Sequence, residues 1–296
     1  MNAQTTTRPV VVGYDDSPDG DLALEWAVRE AERLDRPLKV VVARGMLWST
    51  APGFGPAAPW PEDLDRETVV RARERVAALA PTVEIVTESV VGTPAAVLVT
   101  SADGAEMVVV GRHHHSVLGE LVEGSTSAQV AAHATCPVVV VDRPGGSGPQ
   151  APIVVAVDGS SPNDAALGFA FERAARLAAP LVAVHAWTLD VPDTFDTTWL
   201  SAEHIVELER HHQSVLDEAV APWAAKFPDV EVRTVLRRNL PVEAVLEHCE
   251  GAQLIVVGSR GHGGFVGLLI GSVSQGLIHR DRPCPIAVIH TERGEA

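Results

Sequence analysis

The sequence predicts an α/β protein of two tandem doubly wound domains, and three observations carry that prediction. The chain is written twice. In each copy, short β-branched apolar runs alternate with segments of helical period. Glycine- and serine-rich turns stand at the ends of those runs.

The repetition is direct. The stretch from Pro9 to Ala43 aligns without a gap on the stretch from Pro152 to Ala186. Asp15 meets Asp158, Ser17 meets Ser160, Leu24 meets Leu167, Arg33 meets Arg176 and Pro37 meets Pro180. Further along, Pro94 meets Pro241, Gly104 meets Gly251, Gly111 meets Gly258 and Gly124 meets Gly271. One added residue then precedes the Cys136-Pro137 and Cys284-Pro285 pairs. The expected domains are residues 8–142 and 152–291. The Gly/Pro-rich segment 143–151 reads as a flexible linker.

In copy one, VVVGY from Val10 reads as a buried strand bounded by turn residues. Leu24, Ala27, Val28, Ala31 and Leu34 recur at helical spacing, and LKVVVA from Leu38 is a second strand. A Pro/Gly-rich loop from Gly45 leads into a charged amphipathic helix over Leu64 to Ala80. VEIVTESVV, from Val83, is a third strand with partial alternation. Pro94 opens a short helix, MVVVG from Met107 is strand four, Ser125 to Ala134 a helix, and PVVVV from Pro137 strand five. Copy two follows the same order, with a longer helix around Ala202 to Lys226. Continuous β-branched runs of this kind suit parallel strands whose two faces are both covered by crossover helices. Such sheets take their ligands at the strand carboxyl ends, where the strand order reverses.

Composition narrows the function classes. The chain has 296 residues, 46% of them hydrophobic, and a formal charge of -16. That acidity argues against nucleic acid or an anionic membrane as a partner. The two lysines, Lys39 and Lys226, lie outside any glycine-rich loop, so no P-loop lysine is available to a phosphate. Cys136, Cys249 and Cys284 lack metal or redox spacing and read as buried thiols of a reducing compartment. The N-terminal MNAQTTTRPV has no apolar signal segment, and no apolar run approaches the ~18 residues of a membrane span. A cytoplasmic protein is expected.

Two polar segments recur at strand ends. The first is Gly13-Tyr14-Asp15-Asp16-Ser17, matched by Ala156-Val157-Asp158-Gly159-Ser160. The second, in copy two, is Gly258-x-x-Gly261, nine residues, then Gly271-Ser272-Val273-Ser274 at a helix start. Glycines there admit close backbone approach. Free N–H groups at the helix start, with two hydroxyls, suit an anion. Asp15 and Asp158 have two readings. Each shapes the turn that caps the next helix, with Ser17 or Ser160 as N-cap, or each faces the amine and hydroxyls of a nucleoside. Copy one keeps Gly111, Gly124 and Ser125 but carries His114 where copy two has Gly261. If that glycine adopts φ > 0, His114 costs roughly 1–2 kcal/mol. The run His113-His114-His115 and the pair His211-His212 read as surface histidines rather than metal ligands.

The frame Gly258-x-x-Gly261-nine-Gly271-Ser272, with Asp158 after strand one, resembles the ATP-binding signature of universal stress proteins. The resemblance covers nearly the whole chain, once per repeat. It implies a five-stranded parallel sheet of order 3-2-1-4-5 in each domain, and ATP as ligand, with Mg²⁺ where Asp158 helps to hold it. For adenine and ribose it implies Ala156, Asp158 and Ala186 in copy two, and Gly13, Asp15 and Ala43 in copy one. For phosphates and ribose it implies Gly258, Ser259, Arg260, Gly261, Gly271, Ser272, Val273 and Ser274. The copy-one counterparts are Gly111, Arg112, Gly124, Ser125, Thr126 and Ser127. It also implies a homodimer or paired domains through the fifth strands, Pro137 to Val141 and Pro285 to Ile289, and a regulatory protein partner. An ATP-binding regulator is the expectation. A slow ATPase or nucleotide-transferring enzyme and a nucleotide-free scaffold are the alternatives.

Overall fold

The structure, a computed structural model, describes residues 7–44, 62–112, 125–189, 201–261 and 269–291. The chain divides into two compact units, Met1–Pro144 and Gly145–Ala296.

Unit one runs β1 (Val10–Gly13), α1 (Pro18–Leu34), β2 (Leu38–Arg44), α2 (Glu62–Leu79), β3 (Ile85–Val91), α3 (Pro94–Ser101), β4 (Met107–Gly111), α4 (Ser125–His133) and β5 (Val138–Val141). Its strands are parallel in the order β3-β2-β1-β4-β5. Unit two runs β6 (Ile153–Val157), a 3₁₀ turn (Ser161–Asn163), α5 (Asp164–Leu177), β7 (Leu181–Trp187), α6 (Ala202–Lys226), β8 (Val232–Arg238), α7 (Pro241–Leu246), β9 (Leu254–Gly258), α8 (Ser272–His279) and β10 (Ile286–Ile289). Its strands, also parallel, take the equivalent order β8-β7-β6-β9-β10. Both sheets therefore have the order 3-2-1-4-5. The order reverses at β1/β4 and at β6/β9, which opens a crevice above the carboxyl ends of those strands.

Burial follows from position in the sheet. Val10, Val11, Val12, Val108, Val109 and Val138 are fully buried, as are Ile153, Val154, Val155, Ile255 and Val256, because helices cover both faces. The outer strands β3 and β8 are only partly covered: exposure alternates along the first five residues of β3, and β8 mixes arginines with its apolar residues.

Local chemistry sets the helix ends. Ser17 Oγ accepts from Gly20 N at 3.0 Å, Pro18 stands in the first turn, and Asp19 and Asp21 place negative charge at the positive end of α1. Both α1 and α5 stop on a left-handed residue, Asp35 (φ 52°) and Ala178 (φ 49°). At the far end of α8, the buried Arg282 donates from Nη1 to the carbonyls of Leu277 and Ile278, at 3.2 and 3.1 Å. Helix α6 is fastened to α5 by a ring stack: Phe171 lies 6.3 Å from Trp223 and 6.0 Å from Phe227, and Trp223 Nε1 donates to Asp164 at 2.6 Å.

The segment expected to be a flexible linker is instead tied to unit two from Gly145 onward. Gly146 N donates to Ala252 O at 2.8 Å and Gln253 Nε2 to Ala151 O at 2.7 Å. A Cβ on Gly145 would lie 2.8 Å from the Gln253 carbonyl, so glycine there permits close backbone packing rather than looseness. Among the described residues, no helix is long and apolar enough to cross a membrane.

Candidate functional site

The site of unit two begins one residue past β6. Asp158 Oδ1 accepts from Ser160 N at 2.9 Å and from Ser160 Oγ at 2.7 Å. Asp15 Oδ1 does the same with Ser17, at 3.1 and 2.6 Å. One carboxylate oxygen thus shapes the turn in both repeats, which is the first of the two roles open to these aspartates. The capping differs downstream. Ser17 goes on to cap α1, whereas Ser160 makes no such bond and Asn163 Nδ2 instead donates to Ala156 O at 2.9 Å.

The second oxygen of Asp158 joins the two motifs. Gly261 lies beside it so closely that a Cβ on Gly261 would collide with Oδ2 and stand 3.3 Å from Cγ. Gly261 is absent from the residues with positive φ. The reason for a glycine here is therefore the carboxylate beside it, and not the left-handed backbone anticipated from the sequence. His114, with its neighbours His113 and His115, lies outside the described residues, as does Gly124.

The other glycines separate into two kinds. A Cβ on Gly258 would come within 3.0 Å of the Arg260 carbonyl, and one on Gly111 within 3.0 Å of the Asp19 backbone. Chain packing accounts for both. Gly13 packs against Leu98, whose Cδ1 would lie 2.8 Å from a Cβ, while its counterpart Ala156 carries the methyl. Gly271 differs. It is the N-cap of α8 with φ -70° and ψ 154°, which any residue adopts, and its nearest would-be neighbour is 3.5 Å away. Nothing in the described chain requires a bare Cα there.

Gly271 N donates to Ser259 O at 2.7 Å, and the first turn of α8 closes with Gln275 N to Gly271 O at 2.9 Å. The N–H groups of Ser272, Val273 and Ser274 stand in that first turn, where a helix offers them no carbonyl of its own. Ser272 is exposed, while Ser274 is buried and its Oγ donates to Gly258 O at 2.6 Å. The Ser274 hydroxyl thus ties helix to strand, and its backbone N–H remains in the open turn. Arg260 is exposed beside the turn, Ser259 is buried with its N–H on Ile289 O at 2.7 Å, and Ala186, the next-to-last residue of β7, is half-buried.

Unit one is built differently around the same frame. Arg112, expected at a phosphate, pairs with Asp142 at 3.2 Å, both side chains being mostly buried at 11% and 6% exposure. Unit two has Ser259 and His290 at these places. Thr126 and Ser127 lie in the first turn of α4, Ser127 fully buried, and Ala43 is half-buried near the end of β2. Tyr14 donates its hydroxyl to Asp21 at 2.9 Å and to Asp16 at 3.1 Å. Arg75 pairs with Asp21 at 2.6 Å and Arg71 with Asp16, fastening α2 over the β1 turn with charge. Asp16 takes φ 59° where unit two has Gly159 at φ 74°. Burial and the two carboxylates push the Tyr14 phenol well above its ordinary pKa.

One feature of unit two was not anticipated. His212 had been expected on a solvated helix face. Instead its Nδ1 lies 2.9 Å from Nε2 of His185, a residue of β7 only 5% exposed, and its ring stacks on Trp187 at 5.1 Å and 17°. His185 Nδ1 in turn lies 2.7 Å from the carbonyl of Val157, next to Asp158. The signal in the sequence was a histidine inside an apolar strand, LVAVHAW. The cysteines are buried, as composition suggested. Burial pushes the Cys136 thiol up to about 12, and the neighbouring Cys284 thiol and burial raise Cys249.

Comparison with known proteins agrees with this architecture. The sequence profile of the Universal stress protein family matches twice, over residues 6–142 and 151–290. A universal stress protein of Mycolicibacterium smegmatis is 34% identical over 303 residues, covering 98% of this chain and 99% of the relative. One from Mycobacterium tuberculosis H37Rv is 34% identical over 289 residues, covering 93% and 94%. The crystal structure of a universal stress protein from Archaeoglobus fulgidus superposes with a TM-score of 0.65 at 18% identity, over 97% of each chain, which speaks for the fold. With the sheet order, the paired motifs and these matches in agreement, the chain belongs to the universal stress protein family, as a tandem member.

Proposed function

We propose that unit two binds ATP and that the bound nucleotide sets a regulatory state rather than feeding a reaction. The observation that carries this reading is Gly271: a helix N-cap of ordinary dihedrals, with room for a Cβ and none present, in front of three first-turn N–H groups. A phosphate chain needs that bare approach, and the helix end supplies donors and a positive dipole without a lysine. Arg260 adds positive charge at the rim. Asp158, Ala156 and Ala186 then take the ribose and adenine, a carboxylate being suited to hydroxyl and amine donors and unsuited to phosphates. Asp158 also offers an oxygen to Mg²⁺. Gly13, Asp15, Ala43 and the frame from Gly111 form the weaker counterpart in unit one, where Arg112 already has a carboxylate partner.

Among the described residues no general base belongs to this constellation, and the sequence offers no P-loop lysine, so turnover is expected to be slow and the output to pass through a partner protein. A second copy of the chain, paired through a fifth strand, is the simplest first partner. The deciding measurement is the nucleotide content of purified protein released by denaturation, together with calorimetric titration with ATP at millimolar Mg²⁺. One to two nucleotides per chain support the reading. An empty protein that also gives no heat with ATP removes it.

A further inference from the structure

Asn163 opens α5 but turns its side chain away from that helix. It is 4% exposed, has helical dihedrals of φ -75° and ψ -16°, and makes no side-chain cap bond to the first turn. Its Nδ2 donates instead to Ala156 O at 2.9 Å. The two ends of the amide cannot be exchanged, because Oδ1 against Ala156 O would set two acceptors together. Oδ1 is left buried, with no hydrogen bond from the described residues. A buried acceptor without a donor is destabilising, and an N-cap asparagine ordinarily avoids that by accepting from a first-turn N–H. Here the amide serves the strand at the expense of the helix.

The place it reaches is where the sheet parts. Strands β6 and β9 pair as far as Val155 and Val256, and the crevice lies beyond them. Asn163 Nδ2 stands between the two strand ends, 2.9 Å from Ala156 O on β6 and 3.9 Å from the position of a Cβ on Gly258 of β9. The bond belongs to a series. Ala156 O accepts from Asn163, Val157 O accepts from His185 Nδ1 at 2.7 Å, and Asp158 Oδ1 accepts from Ser160. Three successive residues are thus each held by a different side chain. Of the three bonds, unit one repeats only the last, between Asp15 and Ser17. Gly20 stands at the place of Asn163 and Val42 at that of His185. A Cβ on Gly20 would lie 2.5 Å from Asp15 Oδ1, so a side chain there would displace the carboxylate that shapes the turn. The chain is also closer in unit one. A Cβ on Gly111 would be 3.0 Å from the Asp19 carbonyl oxygen, against 3.9 Å from Gly258 to the equivalent oxygen of Pro162.

We propose that Asn163 is a positioning residue of the unit-two site, holding the Ala156 carbonyl where β6 and β9 part, so that the strand end is set before ligand arrives. This rests on the nucleotide reading of unit two and adds to it a residue that makes this repeat the stronger binder. Asn163 acts through Ala156 and not by touching ligand, since its Nδ2 is engaged and its Oδ1 is covered. A strand end fixed in advance loses less conformational freedom on binding. The orphaned Oδ1 points the same way. It is a departure from the ordinary rule that buried polar groups are paired, and such departures gather at functional sites, where stability gives way to function. Removing the whole amide takes away one hydrogen bond and one unpaired acceptor together, so the fold should lose little while the site loses its support.

The test uses the full chain, the variant Asn163→Ala and two readouts. In the first, NMR relaxation dispersion is recorded without ligand at the backbone amides of Val157 and Asp158. N163A should show microsecond-to-millisecond exchange there that the wild type lacks. Identical profiles overturn the proposal. In the second, ATP affinity and the thermal midpoint are measured together. N163A should bind about tenfold more weakly. Its midpoint should stay within about three degrees of wild type or rise. Unchanged affinity overturns the proposal, and so does an affinity loss accompanied by a larger fall in the midpoint, which would assign Asn163 to the fold. A wild type that binds no ATP refutes the nucleotide reading alone, because the dispersion profiles still decide whether Asn163 holds the strand end.

Discussion

Gly261 and Asp158 are neighbours across the crevice of unit two, 103 residues apart in the chain by their numbering, and the carboxylate fills the space a side chain would need. Gly261→His therefore inserts repeat one's residue into repeat two and should displace Asp158 or the loop. Calorimetry should show ATP affinity reduced at least tenfold, about 1.4 kcal/mol per decade, with the thermal midpoint lowered by a few degrees at most. The reverse change, His114→Gly, should tighten binding by unit one. Unaltered affinity in G261H would separate Gly261 from the ligand.

Gly271 gives the complementary case. A Cβ there would make only ordinary contacts with the described residues, from 3.5 Å outward, and its dihedrals are ordinary, so Gly271→Ala should leave the melting temperature within about one degree of wild type. The methyl should nevertheless weaken ATP about tenfold or more, and Gly271→Asp should abolish binding in unit two by adding negative charge at the helix N-terminus. A large loss of stability in G271A would show that the glycine serves the fold.

Ala178 ends α5 in the left-handed region at φ 49° with its methyl exposed. Relief of that strain outweighs the added chain entropy of glycine. Ala178→Gly should raise stability by about 0.5–1 kcal/mol in urea unfolding, with unchanged dependence on denaturant concentration.

Tyr14 is the chain's only tyrosine, so absorbance at the tyrosinate band reads it alone. Burial and its bonds to Asp21 and Asp16 raise its pKa in the fold. The unfolded phenol ionises near pH 10 and the folded one later, so stability is complete below about pH 10 and falls as pH rises past it. Tyr14→Phe should flatten that alkaline loss and, at neutral pH, cost about 1 kcal/mol for the lost hydrogen bonds.

Much of this molecule was legible in one dimension. Strand runs such as MVVVG and LIVVG can be read because a parallel strand covered on both faces must be apolar throughout. Ser17 could be read as an N-cap because its hydroxyl reaches only local N–H groups. The Gly271 turn could be read because helix ends have fixed donor positions. His212 could not. Its helix is polar on most sides, and its partner His185 lies on a different element, so no periodicity within α6 marks the contact. The ion pair of Arg112 was hidden for a related reason: a basic residue in a glycine frame suggests a phosphate, and the carboxylate of Asp142 that it meets belongs to another strand end.

The sequence by itself determined the two repeats, the parallel α/β class and the glycines that stand at the strand and helix ends, because repetition, burial on both strand faces and helix-end chemistry are all local constraints. Only the tertiary structure decided why Gly261 is a glycine, where Arg112 finds an ion partner, and that His212 meets His185, whose other ring nitrogen lies at the Val157 carbonyl. Those facts depend on which strand ends converge at the crevice, and convergence is set by the packing of whole elements rather than by the residues next in line.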